Sequence, residues 1–222
     1  MIDLRGHGDS QYPQNRSDYA LDKYVTDLAG FIMHTGRPEK CVVVGAATGG
    51  TIAAMVSGLL PRPPAGLVLL DPAFRLDRKI SEDVQREILE IRSFASFEQA
   101  VGSLPFADLW RDDYRRHFAA TSLSVDPEGS MQWRYHPEGA AFTESQLEDV
   151  GVDDLVIQSP ALVARGNLSP VLTRARLATI ANELPDVFTA EIPCASHRVM
   201  QDQPAYVAHL IVGFLTHLAW MR

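Results

Sequence analysis

The stretch VVVGAATGG, Val42 to Gly50, is an apolar run that closes on a burst of small residues. A strand, a glycine-rich turn and a helix in that order can serve three chemistries. Phosphate binding needs G-x-x-x-x-G-K-[ST]. Gly45 and Gly50 have that glycine spacing, but Thr51 and Ile52 follow where the lysine and the hydroxyl belong, so no point charge meets the phosphates. Dinucleotide binding needs G-x-G-x-x-G. Its second glycine falls on Ala47, whose methyl would crowd a pyrophosphate, and Asp71 is only a loose candidate for the ribose acid. The third chemistry is presentation of a nucleophile on a sharp corner, G-x-S-x-G. Gly45, Ala46, Ala47, Thr48 and Gly49 fill that pattern position by position. The residues around the centre must be small because strand and helix nearly touch, and Gly45, Gly49 and Gly50 meet that demand. Only the centre departs: a methyl group at Ala47 cannot attack a carbonyl.

The elements that must position this corner are legible as apolar patterns. Cys41–Val44, Gly66–Leu70 and Ala161–Ala164 read as buried strands, and Phe188–Ile192 as a fourth that alternates more. Met1 opens onto Ile2-Asp3-Leu4, which resembles the tail of another strand. Runs without clean alternation predict a parallel sheet covered on both faces. Leu21, Val25, Leu28 and Ile32 recur at helical spacing up to Gly36-Arg37-Pro38, Gly50 to Leu59 follows as a small-residue helix, and Val207, Leu210, Ile211, Phe214, Leu215 and Leu218 line one face of a last helix. Alternating strand and helix predicts an α/β doubly wound sheet. From about Arg75 to Ser159 no buried strand is expected. Ser81–Ala100 and Phe106–Ala120 read as helices, and DPEGSMQWRYHPEG as a polar loop. A helical insertion of this size is either a lid over a pocket or an excursion with a small core of its own.

Bulk composition narrows the class. The chain has 222 residues, 46% of them hydrophobic, which suits one globular domain with a real core. A formal charge of −8 without dense Lys or Arg argues against a nucleic-acid partner. No apolar run reaches the ~20 residues of a membrane span. Two cysteines, Cys41 and Cys194, are too few for a disulfide framework and predict buried or half-buried thiols in a reducing, cytoplasmic setting. The histidines have no metal-ligand spacing, and neither a metal nor a cofactor is expected.

Taken together, the motifs resemble those of the α/β-hydrolase superfamily, of serine-hydrolase type. DLRGHGDS (Asp3–Ser10) is similar to the loop after that family's fourth strand, and the corner at Ala47 follows at the expected remove. GLVLLDPA (Gly66–Ala73) resembles the next strand, SPALVARGNLSPVL (Ser159–Leu172) the strand after the lid, and IPCASHRVMQDQP (Ile192–Pro204) the loop that holds the catalytic histidine. The resemblance implies a core of residues 1–74 and 160–222, with 75–159 as a helical lid. It puts His197 in the general-base seat, and it makes His7 structural. The acid seat has two versions. One falls at Ser169, which carries no charge; the other falls at Asp71, which is favoured here against a turn role before Pro72. Ala47 takes the nucleophile seat, and the backbone N–H of Thr48 is the oxyanion donor beside Gly45 and Gly49.

Two departures from the family pattern remain. The first three strands or more have no counterpart ahead of Met1. An open sheet edge is then expected to give poor solubility, a homo-oligomer or a covering partner. A well-behaved monomer with a cooperative melt would contradict this. The second departure is Ala47, either a natural loss or a Ser→Ala change. The function implied is hydrolysis of a small ester, amide or related carbon–carbon bond on an apolar or amphiphilic substrate, crippled here at the nucleophile. Trp110, Trp133, Tyr135 and Phe94 are candidates to shape the lid pocket, or else plain core. Two further readings stand beside it: a non-catalytic binding protein, and serine-independent lyase or oxygen chemistry with His197 as the base.

Overall fold

A computed structural model describes residues 1–90, 93–104, 110 and 112–220. The chain begins without regular structure, and Ile2–Leu4 is not a strand. The first α-helix, α1 (Leu21–His34), buries Leu21, Tyr24, Val25 and Ile32 on one side. There follow β1 (Val42–Ala46), α2 (Thr48–Ser57) and β2 (Gly66–Leu70). The middle of the chain holds α3 (Arg78–Glu90), α4 (Phe97–Gly102), α5 (Asp112–Ser122), β3 (Leu123–Val125), β4 (Met131–Trp133) and α6 (Pro137–Ser145). The last third alternates β5 (Ala161–Gly166), α7 (Arg174–Glu183), β6 (Val187–Ile192), α8 (Val199–Asp202) and α9 (Pro204–Trp220).

The main sheet has the order β1-β2-β5-β6, every pair parallel. All five residues of β2 are buried, and the reason lies in the pleat. Leu67 and Leu69 point into a core with Ala53 and Ala54 of α2 and Leu177 and Ile180 of α7. Val68 and Leu70 point the other way, into a core with Val207, Phe214 and Leu218 of α9. A strand with helices on both faces needs apolar residues at every position, which is why its sequence does not alternate. The register Ala46↔Leu70, Leu70↔Ala164 and Gly166↔Ile192 brings the carboxyl ends of the four strands level with one another. Among the described residues, β1 and β6 are the edges, and Val44 in the middle of β1 is half-exposed.

The chain divides into two compact units. Leu21–Ser81 with Gln146–Arg222 contains the sheet; Met1–Ala20 with Glu82–Ser145 forms the other. In the second unit, β3 and β4 pair antiparallel, with Leu123 opposite Trp133. This hairpin lies in the stretch where the sequence reading expected no buried strand. Its strands are three residues long and only half-buried, too short to register as an apolar run. The stretch read as a polar loop thus carries β4 and the start of α6. The helix expected over Ser81–Ala100 is two, α3 and α4, with Ser96 capping the second through the Gln99 N–H. That serine offers the backbone an acceptor at the place where a new helix starts. The expected Phe106–Ala120 helix is α5 from Asp112 on; its first residues, 106–109 and 111, lie outside the described residues. Phe94, Trp110 and Trp133 are brought together with Tyr114 and Phe118 in three edge-to-face contacts, centroids 5.3–5.5 Å apart, and one tilted contact at 6.3 Å, as an aromatic core of this unit. No described helix is long and apolar enough to cross a membrane. Cys41 is half-buried, but Cys194 is exposed, contrary to the expectation for a buried thiol.

Candidate active site

Each strand of the sheet delivers one residue just past its carboxyl end. Ala47 follows β1, Asp71 follows β2, Ser169 stands in the loop after β5, and His197 stands in the loop after β6. In open parallel sheets this rim is where ligands are met.

The corner after β1 has the geometry its sequence pattern demands. Ala47 has φ 50° and ψ −127°, a conformation that side chains avoid, and its N–H donates to Leu70 O of the neighbouring strand at 3.0 Å. Its carbonyl accepts from the N–H groups of Gly50 and Thr51, the first bonds of α2. The small residues are not equivalent. A Cβ on Gly45 would lie 2.2 Å from the carbonyl oxygen of Gly49, backbone against backbone. A Cβ on Gly50 would press on Gly45 O and on Pro72, each at 3.2 Å. A Cβ on Gly49 would meet nothing within 4 Å, so Gly49 contributes its carbonyl and not its missing side chain. Thr48 is the first residue of α2, where helix N–H groups lack intrahelical partners and favour negative charge.

Asp71 and His197 are brought together. His197 Nδ1 lies 2.6 Å from Asp71 Oδ2, the ring partly exposed and the carboxylate fully buried. Two further donors reach the same carboxylate: the Gly166 N–H to Oδ1 at 3.2 Å and the Ser169 hydroxyl to Oδ2 at 2.5 Å. Asp71 has φ 49°, a second non-glycine residue held in the left-handed region. The two acid seats weighed from the sequence are therefore neighbours in space, and the charged one holds the histidine. Ala47 is tied through its N–H to the carbonyl of Leu70, the residue before Asp71.

The histidine loop is fixed from three sides. Asp202 accepts from the Ser196 N–H and hydroxyl at 2.7 and 2.5 Å. Asn167 Oδ1 accepts from the Ala195 N–H at 3.3 Å, and the Leu168 N–H donates back to Ala195 O at 2.9 Å. Gly166 allows the close approach, because a Cβ there would sit 2.0 Å from Ser196 O. Sequence reasoning missed Gly166, Asn167 and Asp202. The signal for Gly166 was present: a glycine closing a buried strand marks a close backbone approach. His7 belongs to the other unit, where it lies 6.2 Å from the Tyr135 ring and its Nδ1 donates to Arg5 O. Burial pushes its imidazole below the usual histidine range.

Four parallel strands that end on an Asp–His pair and a nucleophile-type corner define a class of hydrolytic fold, and comparison with known proteins agrees. The chain belongs to the alpha/beta hydrolase family, whose sequence model matches residues 1–210. It is 26% identical to a 3-hydroxybutyrate-oligomer hydrolase of Cupriavidus necator, over 93% of this chain and 75% of that protein. It is 29% identical to lipase LipV of Mycobacterium tuberculosis, over 94% of this chain and 80% of that one. Among solved structures it superposes on E-2-(acetamidomethylene)succinate hydrolase with a TM-score of 0.86 at 22% identity, covering 96% of this chain and 80% of that one.

Proposed function

We propose that this chain carries the acid–base half of a serine-hydrolase-type site and binds a small apolar or amphiphilic ester, amide or related substrate, with its turnover crippled at position 47. In this reading Asp71 fixes the ring of His197 through Nδ1, which leaves Nε2 to exchange protons with a substrate or water. The Thr48 N–H at the head of α2 takes the oxyanion position beside Gly45 and Gly49. Ala47 occupies the nucleophile seat without a nucleophile. One observation carries the reading: the buried Asp71 holds His197 at 2.6 Å on the sheet rim where Ala47 keeps the corner geometry. The hydrolase and lipase names of the relatives support the ester class. Residues 75–159 are assigned to the choice of substrate on the family resemblance alone. No metal, cofactor or nucleic acid enters this reading. Among the described residues no strand pairs with the outer edge of β1, and Val44 there is half-exposed, which supports a second copy or a partner strand at that edge.

The test is Ala47→Ser. Loss of a serine nucleophile costs on the order of a millionfold in turnover in a serine hydrolase. Its return is expected to create p-nitrophenyl ester hydrolysis, at least about a thousandfold above the parent chain, that His197→Ala removes. A folded Ala47→Ser protein without that gain would overturn the reading.

A second reading is favoured by the completeness of the Asp71–His197 pair beside an alanine. His197 alone would act as a base in lyase or cofactor-free oxygen chemistry. Activity of the chain as it stands, lost in His197→Ala, would decide for it; ligand binding without turnover in either chain would decide for a binding protein.

A further inference from the structure

We propose that Ser169 is a positioning residue for the Asp71–His197 pair, held in place by the buried guanidinium of Arg165; this rests on reading His197 as the base. The direction of the hydrogen bond follows from its surroundings. Ser169 Oγ accepts the Val171 N–H at 3.1 Å, so its single proton is free to go to Asp71 Oδ2 at 2.5 Å. The same oxygen takes His197 Nδ1–H. The opposite oxygen, Oδ1, has the longer bond to the Gly166 N–H, 3.2 Å. The terminal torsion of an aspartate is a broad rotor. With one longer bond at Oδ1, the carboxylate would swing and the imidazole would follow; the Ser169 hydroxyl locks the oxygen that faces the ring.

The loop that carries Ser169 is built to hold it. Arg165, 5% exposed at the end of β5, donates from Nε to Leu172 O at 2.7 Å and from Nη2 to Ser169 O at 3.2 Å and Asn167 O at 3.5 Å. Its Nη1 donates to Glu191 of β6, which also pairs with Arg174. A guanidinium is a planar fork whose donors hold fixed directions. Three carbonyls of one short loop on one buried fork leave that loop a single shape, with Ser169 aimed at Asp71. A hydroxyl that merely tied the turn through the Val171 N–H would need neither the buried arginine nor a carboxylate partner.

The experiment is proton NMR of the whole chain, following the downfield Nδ1–H resonance of His197, assigned by its disappearance in His197→Ala. In Ser169→Ala this resonance is expected to broaden into the baseline at temperatures where the parent chain keeps it, while Ser169→Thr, which restores a hydroxyl, keeps it. Glu191→Gln slackens the Arg165 fork without touching the pair. It tests the same claim should Ser169→Ala fail to fold, and is expected to speed exchange of the same proton. A resonance equally sharp in folded Ser169→Ala, or, should that chain not fold, unmoved in Glu191→Gln, overturns the role of Ser169. A parent chain with no resonance that His197→Ala removes overturns the pair itself, and the reading of His197 with it.

Discussion

Ala47 after β1 and Asp71 after β2 stand on adjacent strands with almost the same backbone torsion, φ 50° and 49°. Each such residue costs of order 1–3 kcal/mol and persists only where its surroundings dictate it. What dictates it differs. The Asp71 N–H donates to Ala164 O at 2.7 Å, as the Ala47 N–H does to Leu70 O, and its side chain in addition receives three donors, from Gly166 at the end of β5 and from the loops after β5 and β6. The Ala47 methyl group carries no polar atom, and its corner is held by backbone alone: the N–H on Leu70 O and the closeness of Gly45 to Gly49. A corner held by backbone keeps its shape whatever side chain stands on it. The Asp71 corner has the same kind of backbone bond and adds to it the three donors on its side chain. The chemistry of position 47 can therefore be absent while its geometry stays.

The comparison can be broken or sharpened by substitution. Gly45→Ala has the largest expected effect. Its Cβ would overlap the Gly49 carbonyl, and neither strand nor helix can yield alone, so a loss of about 3 kcal/mol is expected in chemical denaturation. Asp71→Gly relieves the torsion but orphans the Gly166 N–H and the Ser169 and His197 donors. A net loss of about 2 kcal/mol is expected. Ala47→Gly relieves the same torsion and orphans nothing, so a gain of up to about 1 kcal/mol is expected, with an unchanged Asp71–His197 resonance. If Asp71→Gly stabilised the chain as Ala47→Gly does, the two corners would be alike and the distinction would fall. Gly49→Ala is the smallest, a gain of about 0.5 kcal/mol, since its Cβ enters open space inside a helix.

The sheet was legible because a strand buried on both faces reads as an unbroken apolar run, and β2 was bounded to the residue. The ends of β1 and β5 ran two residues further than expected, because the pairing continues through Gly45-Ala46 and Arg165-Gly166, which interrupt the apolar run. The corner at Ala47 was legible because its demand for small residues is local. Its finer logic was not: that Gly49 is free to change while Gly45 is not depends on where a carbonyl points. Asp71 was favoured as the acid through the family resemblance, and its second partner at Ser169 came from a loop 98 residues away. The hairpin in the middle of the chain was lost because three half-buried residues leave no periodicity to read.

The carboxylate of Asp71 draws its donors from positions 95, 98 and 126 residues further along the chain. Loop closures that long are paid for before they return anything. The Asp71–His197 contact therefore forms only after β2, β5 and β6 have come into register, so the imidazole proton reports when those three strands are in place. Followed during refolding, it would distinguish a collapsed chain from one whose strands have found their neighbours.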